Sequence, residues 1–225
     1  MKPIAIIPAR GGSKRLPRKN ILPLDGKPLI AHIVSTAIES NVFDKVIVST
    51  EDKEIAGIAQ KYGADIFYRD VTLAQDTSTV VEVCLDVLRV EDSNLFCCLY
   101  ATAALLSVET IQDSYQKFIT KKTDVLMGVS EYNYSPIQAL KIDNKDNATL
   151  ILEEFEKIQS QCYPKLRVSN GTLYWGRRES FIRDKTFYPS SLKVFDVLKH
   201  EVCDIDTKED YLKLQRKYEA NSLSC

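Results

Sequence analysis

Short apolar runs rich in β-branched residues alternate with stretches of helical period almost from the start of the 225-residue chain: 4–7, 29–38, 46–48, 55–59, 64–67, 80–88, 95–99, 111–119 and 125–129. Runs of four or five apolar residues without polar alternation suit strands buried on both faces, which requires helices on both sides of a sheet. The order therefore predicts βαβ units and an α/β fold, a mostly parallel sheet flanked by helices. At 44% hydrophobic residues the chain can bury the core of one domain spanning 1–225.

Helix starts carry their own chemistry. Thr50 offers a hydroxyl cap before the 55–59 stripe, Pro28 suits a first helical turn, Asp76 and Thr77 can open the 80–88 helix, and Ser107 caps the run through Phe118. Thr207 with Asp210 three residues on resembles a capping box. The alternation lapses over 131–170, where strand-like pieces near 139–142 and 149–152 flank a polar turn at 143–147. This predicts a hairpin excursion that serves as a lid, as a subunit contact or simply as surface.

The first apolar run is followed by PARGGSKRLPRKN, residues 8–20, with five cations and no anion. In an open α/β sheet the loop leaving the first strand lies at the ligand crevice. Adjacent Gly11 and Gly12 allow backbone N–H groups to turn inward as an anion nest, Arg10 offers a planar fork, and Lys14 and Lys19 add point charges. Polyphosphate is the ligand this composition suits. Neither GxxxxGK[ST] nor GxGxxG occurs, which argues against a P-loop NTPase or a dinucleotide enzyme. With 30 Lys and Arg against 31 Asp and Glu the rest of the surface is balanced, so no nucleic acid and no membrane partner is expected. The absence of a secretory core or an 18-residue apolar run leads to the expectation of a cytoplasmic protein. Its six cysteines, Cys84, Cys97, Cys98, Cys162, Cys203 and Cys225, form no CxxC pair, and most are expected reduced.

A second acidic element stands far along the chain. In an extended CDIDT, Asp204 and Asp206 share one face and Ile205 takes the other. Two carboxylates so placed suit a hard divalent cation. Equally, Asp206 favours the positive start of the following helix and Asp204 is solvated.

Taken together, IIPARGGSKRLPRKN, DGKPLIAHIVSTA, DKVIVSTEDKEIA, ADIFYRDVTLAQDTST, SNGTLYW and CDIDTKED resemble, in order and over nearly the whole chain, the sugar cytidylyltransferases that activate eight- and nine-carbon 2-keto acids, the group containing CMP-N-acetylneuraminate synthetase. CCLYATA at 97–103 and Lys14-Arg15 are most similar to the family's pseudaminic acid branch. The resemblance implies a Rossmann-like nucleotidyltransferase fold and transfer of CMP from CTP to the 2-hydroxyl of a nine-carbon 2-keto sugar acid, with release of pyrophosphate.

It implies residue roles as well. Arg10, Gly11, Gly12, Ser13, Lys14 and Lys19 would grip the triphosphate, with Arg10 and Lys19 stabilising charge at the attacked phosphorus. Asn20, Arg69, Asp76 and Ser78 would hold the rest of the nucleotide, and Asp204 and Asp206 one Mg²⁺, with Asp206 counted catalytic. Tyr100, Thr102, Arg167, Asn170 and Tyr174 would meet the sugar acid. Phe187 and Tyr188 would reach the neighbouring subunit's site, with the 131–170 excursion as the arm of a homodimer. Ala104 stands where relatives carry Pro, and Glu51-Asp52-Lys53 also departs from their pattern. Legionaminate, N-acetylneuraminate and 3-deoxy-octulosonate remain alternative acceptors, and a nucleotide-binding regulator of the same fold is the non-enzymatic alternative.

Overall fold

A computed structural model describes residues 2–222. Cys225 lies outside the described residues. The elements run β1 (Ile4–Pro8), β2 (Pro23–Leu24), β3 (Lys27–Pro28), α1 (Leu29–Glu39), β4 (Lys45–Thr50), α2 (Lys53–Lys61), β5 (Asp65–Tyr68), α3 (Val80–Val90) and β6 (Leu95–Leu99). They continue with α4 (Val108–Lys121), β7 (Val125–Glu131), β8 (Leu140–Ile142), β9 (Ala148–Leu150), β10 (Arg167–Arg177), α5 (Arg178–Asp184), β11 (Leu192–Asp196) and α6 (Lys208–Ser222).

Seven strands form one sheet in the order β11-β7-β10-β6-β1-β4-β5. Every neighbouring pair is parallel except the two made by β10, which runs antiparallel between β6 and β7. The expected mostly parallel α/β fold is therefore found. Successive side chains of β1 enter opposite layers: Ala5 and Ile7 pack with Ile30, Ile33 and Ile55, while Ile4 and Ile6 pack with Cys84, Val87 and Phe181. Cys97 and Cys98 divide in the same way. Burial raises the pKa of both thiols, and they are inert packing groups, free like Cys84, Cys162 and Cys203. Trp175 fills the first layer and donates from Nε1 to Ser114 Oγ at 2.9 Å.

Three helix starts differ from expectation. α2 is capped by Asp52, whose Oδ1 accepts from the Glu54 and Ile55 N–H groups at 2.9 and 3.0 Å; Thr50 Oγ1 instead accepts from the Asp52 N–H. Pro28 is extended and precedes α1, because it closes the β2–β3 pair. α3 starts behind Thr79, not Asp76 or Thr77, through a full capping box with Glu82. Thr79→Ala should cost about 1 kcal/mol and lower the unfolding midpoint by about 2–4 °C in calorimetry. The Ser107 cap and the Thr207–Asp210 box appear as expected.

The 131–170 excursion contains the expected hairpin: β8 pairs with β9, and Asp143 Oδ1 accepts from the Lys145 and Asn147 N–H groups in the turn. Leu140, Ile142, Ile151 and Ile158 on or beside it are exposed in this chain.

Candidate active site

β1 is the strand at which the chain order reverses, since the connection from it leads to β4 on one side and β6 lies on the other. Ligands of open α/β sheets bind outside the carboxyl ends of the strands at such a point. The 9–20 loop leaves β1 there, Glu51 and Asp52 leave β4, Arg69 leaves β5, and the 100–107 loop leaves β6. Because β10 is antiparallel, its first residues, from Arg167, reach the same edge.

The loop's cations are met by carboxylates from elements distant in sequence. Arg10 Nη1 donates to Asp76 Oδ1 at 2.8 Å, and Lys14 pairs with the other Asp76 oxygen; these contacts hold the Asp76 pKa below the usual range, the Lys14 hydrogen bond most of all. Arg18, in the left-handed region at φ 57°, grips Asp52 and Glu54, and the Arg18 hydrogen bond is the main reason that the Asp52 pKa is lowered. The Gly11 N–H donates to Glu51 Oε1 at 2.7 Å, and Glu51 Oε2 takes the buried Arg69 guanidinium at 3.1 Å. Burial lowers the Arg69 pKa, with Glu51 opposing. Asn20, also buried, donates to the Arg10 carbonyl at 3.0 Å and so shapes the loop from inside. Ser13 closes a tight turn on the Gly11 carbonyl. Ser78 Oγ bonds the Thr72 carbonyl at 2.9 Å, fixing the turn that presents Asp76.

The loop and the far acidic segment meet. Lys19 Nζ donates to the Ile205 carbonyl at 2.6 Å and reaches Asp206 Oδ1 at 3.4 Å, and Arg15 Nη2 lies 2.9 Å from the same oxygen. Ile205 is fully buried, and 202–207 form neither strand nor helix. Asp204 is exposed and lines a cleft of about 1170 Å³ together with Tyr100, Arg167, Asn170, Tyr174 and Lys217.

Within that cleft the Tyr100 and Tyr174 rings lie 5.6 Å apart, and burial raises both phenol pKa values, keeping them protonated donors. Tyr174 Oη contacts Ser169 Oγ at 2.5 Å. Asn170 is tied to Ser130 and Thr172, and Arg167 is held by Asp196 at 2.5 Å and Glu131 at 3.1 Å. Thr102 sits half-buried in the following turn, outside the cleft lining.

Phe187 requires a correction. It is 6% exposed and packs at tilted angles within its own chain against Tyr174, Phe181 and Phe96, so its ring is spent on the wall behind Tyr174 instead of being presented outward. An aromatic ring at such a core position buries more area than any exposed pose offers. Tyr188 is exposed and lies outside the cleft. Sequence reasoning missed Glu51, Asp52 and Glu54 as partners of the loop, since the pairing of β4 with β1 that brings them there is visible only in the fold.

A cytidylyltransferase family model matches residues 4–218. The chain belongs to the cytidylyltransferase family. This cytidylyltransferase is 37% identical over 228 residues to the pseudaminic acid cytidylyltransferase of Campylobacter jejuni subsp. jejuni serotype O:2, covering 98% of each chain. It is 33% identical to the CMP-N,N'-diacetyllegionaminic acid synthase of Legionella pneumophila subsp. pneumophila, again over 98% of both chains. Among solved structures, CMP:2-keto-3-deoxy-manno-octonic acid synthetase complexed with CTP shares its fold at TM-score 0.76 and 16% identity, covering 98% of this chain and 100% of the other. No helix among the described residues of the cytidylyltransferase is long and apolar enough to cross a membrane.

Proposed function

We propose that this cytidylyltransferase uses CTP to activate a nine-carbon 2-keto sugar acid, pseudaminic acid before its legionaminate, N-acetylneuraminate or eight-carbon counterparts. The observation that carries the reading is the junction of Lys19 with Ile205 and Asp206, which joins the cationic glycine loop to the acidic segment whose Asp204 lines the cleft. The similarity to the Campylobacter enzyme over both full lengths supports the choice of acid.

In this reading the acid's 2-hydroxyl oxygen bonds to the α-phosphorus and its proton passes to solvent. The bond from that phosphorus to the bridging oxygen breaks, and pyrophosphate leaves. Arg10, Lys14 and Lys19 exchange their carboxylate partners for phosphate oxygens, stabilising charge that grows during displacement. The free N–H of Gly12 and the Ser13 hydroxyl lie on the same loop. Arg69, Asp76 and Ser78 border the nucleoside end, and Tyr100, Tyr174 and Asn170 offer hydrogen bonds to the acid. Arg167, already matched by two carboxylates, acts there as a shaped wall more than as a free charge.

Asp204 and Asp206 are hard oxygen donors of the kind that suit Mg²⁺, one lining the cleft and the other meeting Lys19 beside the loop. That matches an ion usually held by one or two carboxylates plus substrate phosphates. When bound it would supply Lewis-acid polarisation of the α-phosphate and a lower pKa for the attacking hydroxyl. A homodimer joined through the exposed hairpin, with Tyr188 near the partner's cleft, and a cytoplasmic location complete the proposal.

Pyrophosphate release from CTP with each of the four acids tests it. Turnover should be fastest with pseudaminate, and turnover of another acid with none of pseudaminate would overturn that assignment.

A further inference from the structure

Glu201 stands outside every role described so far. It is 3% exposed and spends both oxygens on the first turn of α4: Oε1 accepts from the Ser107 N–H at 3.0 Å and Oε2 from the Thr110 hydroxyl at 2.6 Å. Ser107 ends the loop that begins at Tyr100, and Glu201 lies three residues before Asp204. The contact thus ties the loop at the carboxyl end of β6 to the segment bearing both acidic residues.

That segment, 202–207, has no regular backbone structure to hold its shape. Its geometry depends on anchors: Lys217 Nζ donates to the Lys199 and Val202 carbonyls at 3.0 and 2.7 Å, Lys19 Nζ holds the Ile205 carbonyl, and Ile205 packs with Ala104 and Leu105 of the β6 loop. Ser107 Oγ accepts from the Thr110 N–H at 3.1 Å, and the Ser107 N–H, which a Glu or Gln in place of Thr110 would take in a capping box, is met instead by Glu201 from a distant segment. Burying a carboxyl group is costly unless its hydrogen bonds are fully formed. A buried side chain reaching across 94 residues to a helix with a local cap makes sense where a distance has to be fixed.

We propose that Glu201 is a positioning residue: by joining the 100–107 loop to the 202–206 segment it holds Asp204 and Asp206 at a set distance from the acid-binding wall at Tyr100. The inference rests on the cytidylyl-transfer reading above and deepens it. Groups that orient metal ligands from behind commonly change metal affinity by about tenfold or more when removed.

The test uses the full chain with Glu201→Ala, Glu201→Gln and Asp206→Asn beside the parent. Mn²⁺ serves as the probe, its binding in the presence of CTP read by electron paramagnetic resonance, with KM and kcat measured for whichever acid the parent turns over. Glu201→Ala should raise the Mn²⁺ half-saturation and the KM for the acid about tenfold, leaving kcat at saturation within about threefold. CTP binding without metal should match the parent. Glu201→Gln, which keeps an acceptor for the Ser107 N–H, should recover most of the loss. If Glu201→Ala fails to fold, Glu201→Asp, one methylene shorter, should show the same split. A variant that melts earlier yet binds Mn²⁺ and the acid as the parent does would make Glu201 a helix anchor only and overturn the proposal. Should Asp206→Asn leave Mn²⁺ binding unchanged, the metal reading fails, and an unchanged KM for the acid in Glu201→Ala would then overturn the positioning role independently.

Discussion

Asp206→Ala should lower kcat/KM for pyrophosphate release by about 100-fold or more, about 2.7 kcal/mol of transition-state stabilisation, while the protein remains folded. Two effects oppose each other at this residue. Its carboxylate pairs with Arg15 and Lys19, but Arg15 is largely exposed and solvent screens the pairing, so its loss should cost the fold no more than about 1 kcal/mol. Lys19 also keeps its 2.6 Å bond to the Ile205 carbonyl. The chemical loss is larger, since one of two carboxylates suited to a divalent ion is gone and Asp204 alone would share the ion with the phosphates. A pyrophosphate assay across Mg²⁺ concentrations, with a thermal melt of the same sample, separates the two. Parental turnover at every Mg²⁺ concentration would remove Asp206 from the metal site.

The framework was legible in the sequence because strands such as 4–7 and 95–99 are buried on both faces and so are apolar throughout. The loop after β1 was legible for a different reason: five cations beside paired glycines in a balanced chain stand out locally. What stayed hidden were partners brought close only by topology. Glu51 and Asp52 matter because β4 pairs with β1 in parallel, which sets the two exits side by side, and no local pattern encodes that adjacency. Glu201 was hidden for the same reason. Phe187 was misplaced because an aromatic residue in a polar stretch carries no mark of the direction in which its ring packs. The antiparallel insertion of β10 likewise turns Arg167 and Asn170 toward the site, whereas the chain's own order suggests only another strand.

Gly11→Ala and Gly12→Ala, neighbours in the same loop, should fail in different ways. A Cβ at Gly11 would lie 2.4 Å from Asp52 Oδ2 and 3.1 Å from its Cβ and Cγ, distances at which something must move. Asp52 has little freedom to yield, because Oδ1 caps α2 and Arg18 grips the carboxylate. The loop must shift instead, breaking the Gly11 N–H bond to Glu51 and displacing Arg10. Gly11→Ala is therefore expected to lose about 1–2 kcal/mol of stability and to raise the KM for CTP by about tenfold or more. The gap from the parent should narrow in acid: the folded pKa of Asp52 lies below its unfolded value, so the contribution that holds Asp52 in place is present above the unfolded pKa and is lost, in parent and variant alike, as pH falls through the folded one. Gly12 has nothing within 4 Å of its missing Cβ. Gly12→Ala should melt within about 0.5 kcal/mol of the parent, so any rise in its KM for CTP comes from the space a phosphate would occupy. Parental CTP affinity in Gly12→Ala would take that residue out of the triphosphate cradle. Parental melting and KM in Gly11→Ala would show that the loop does not depend on its seat against Asp52.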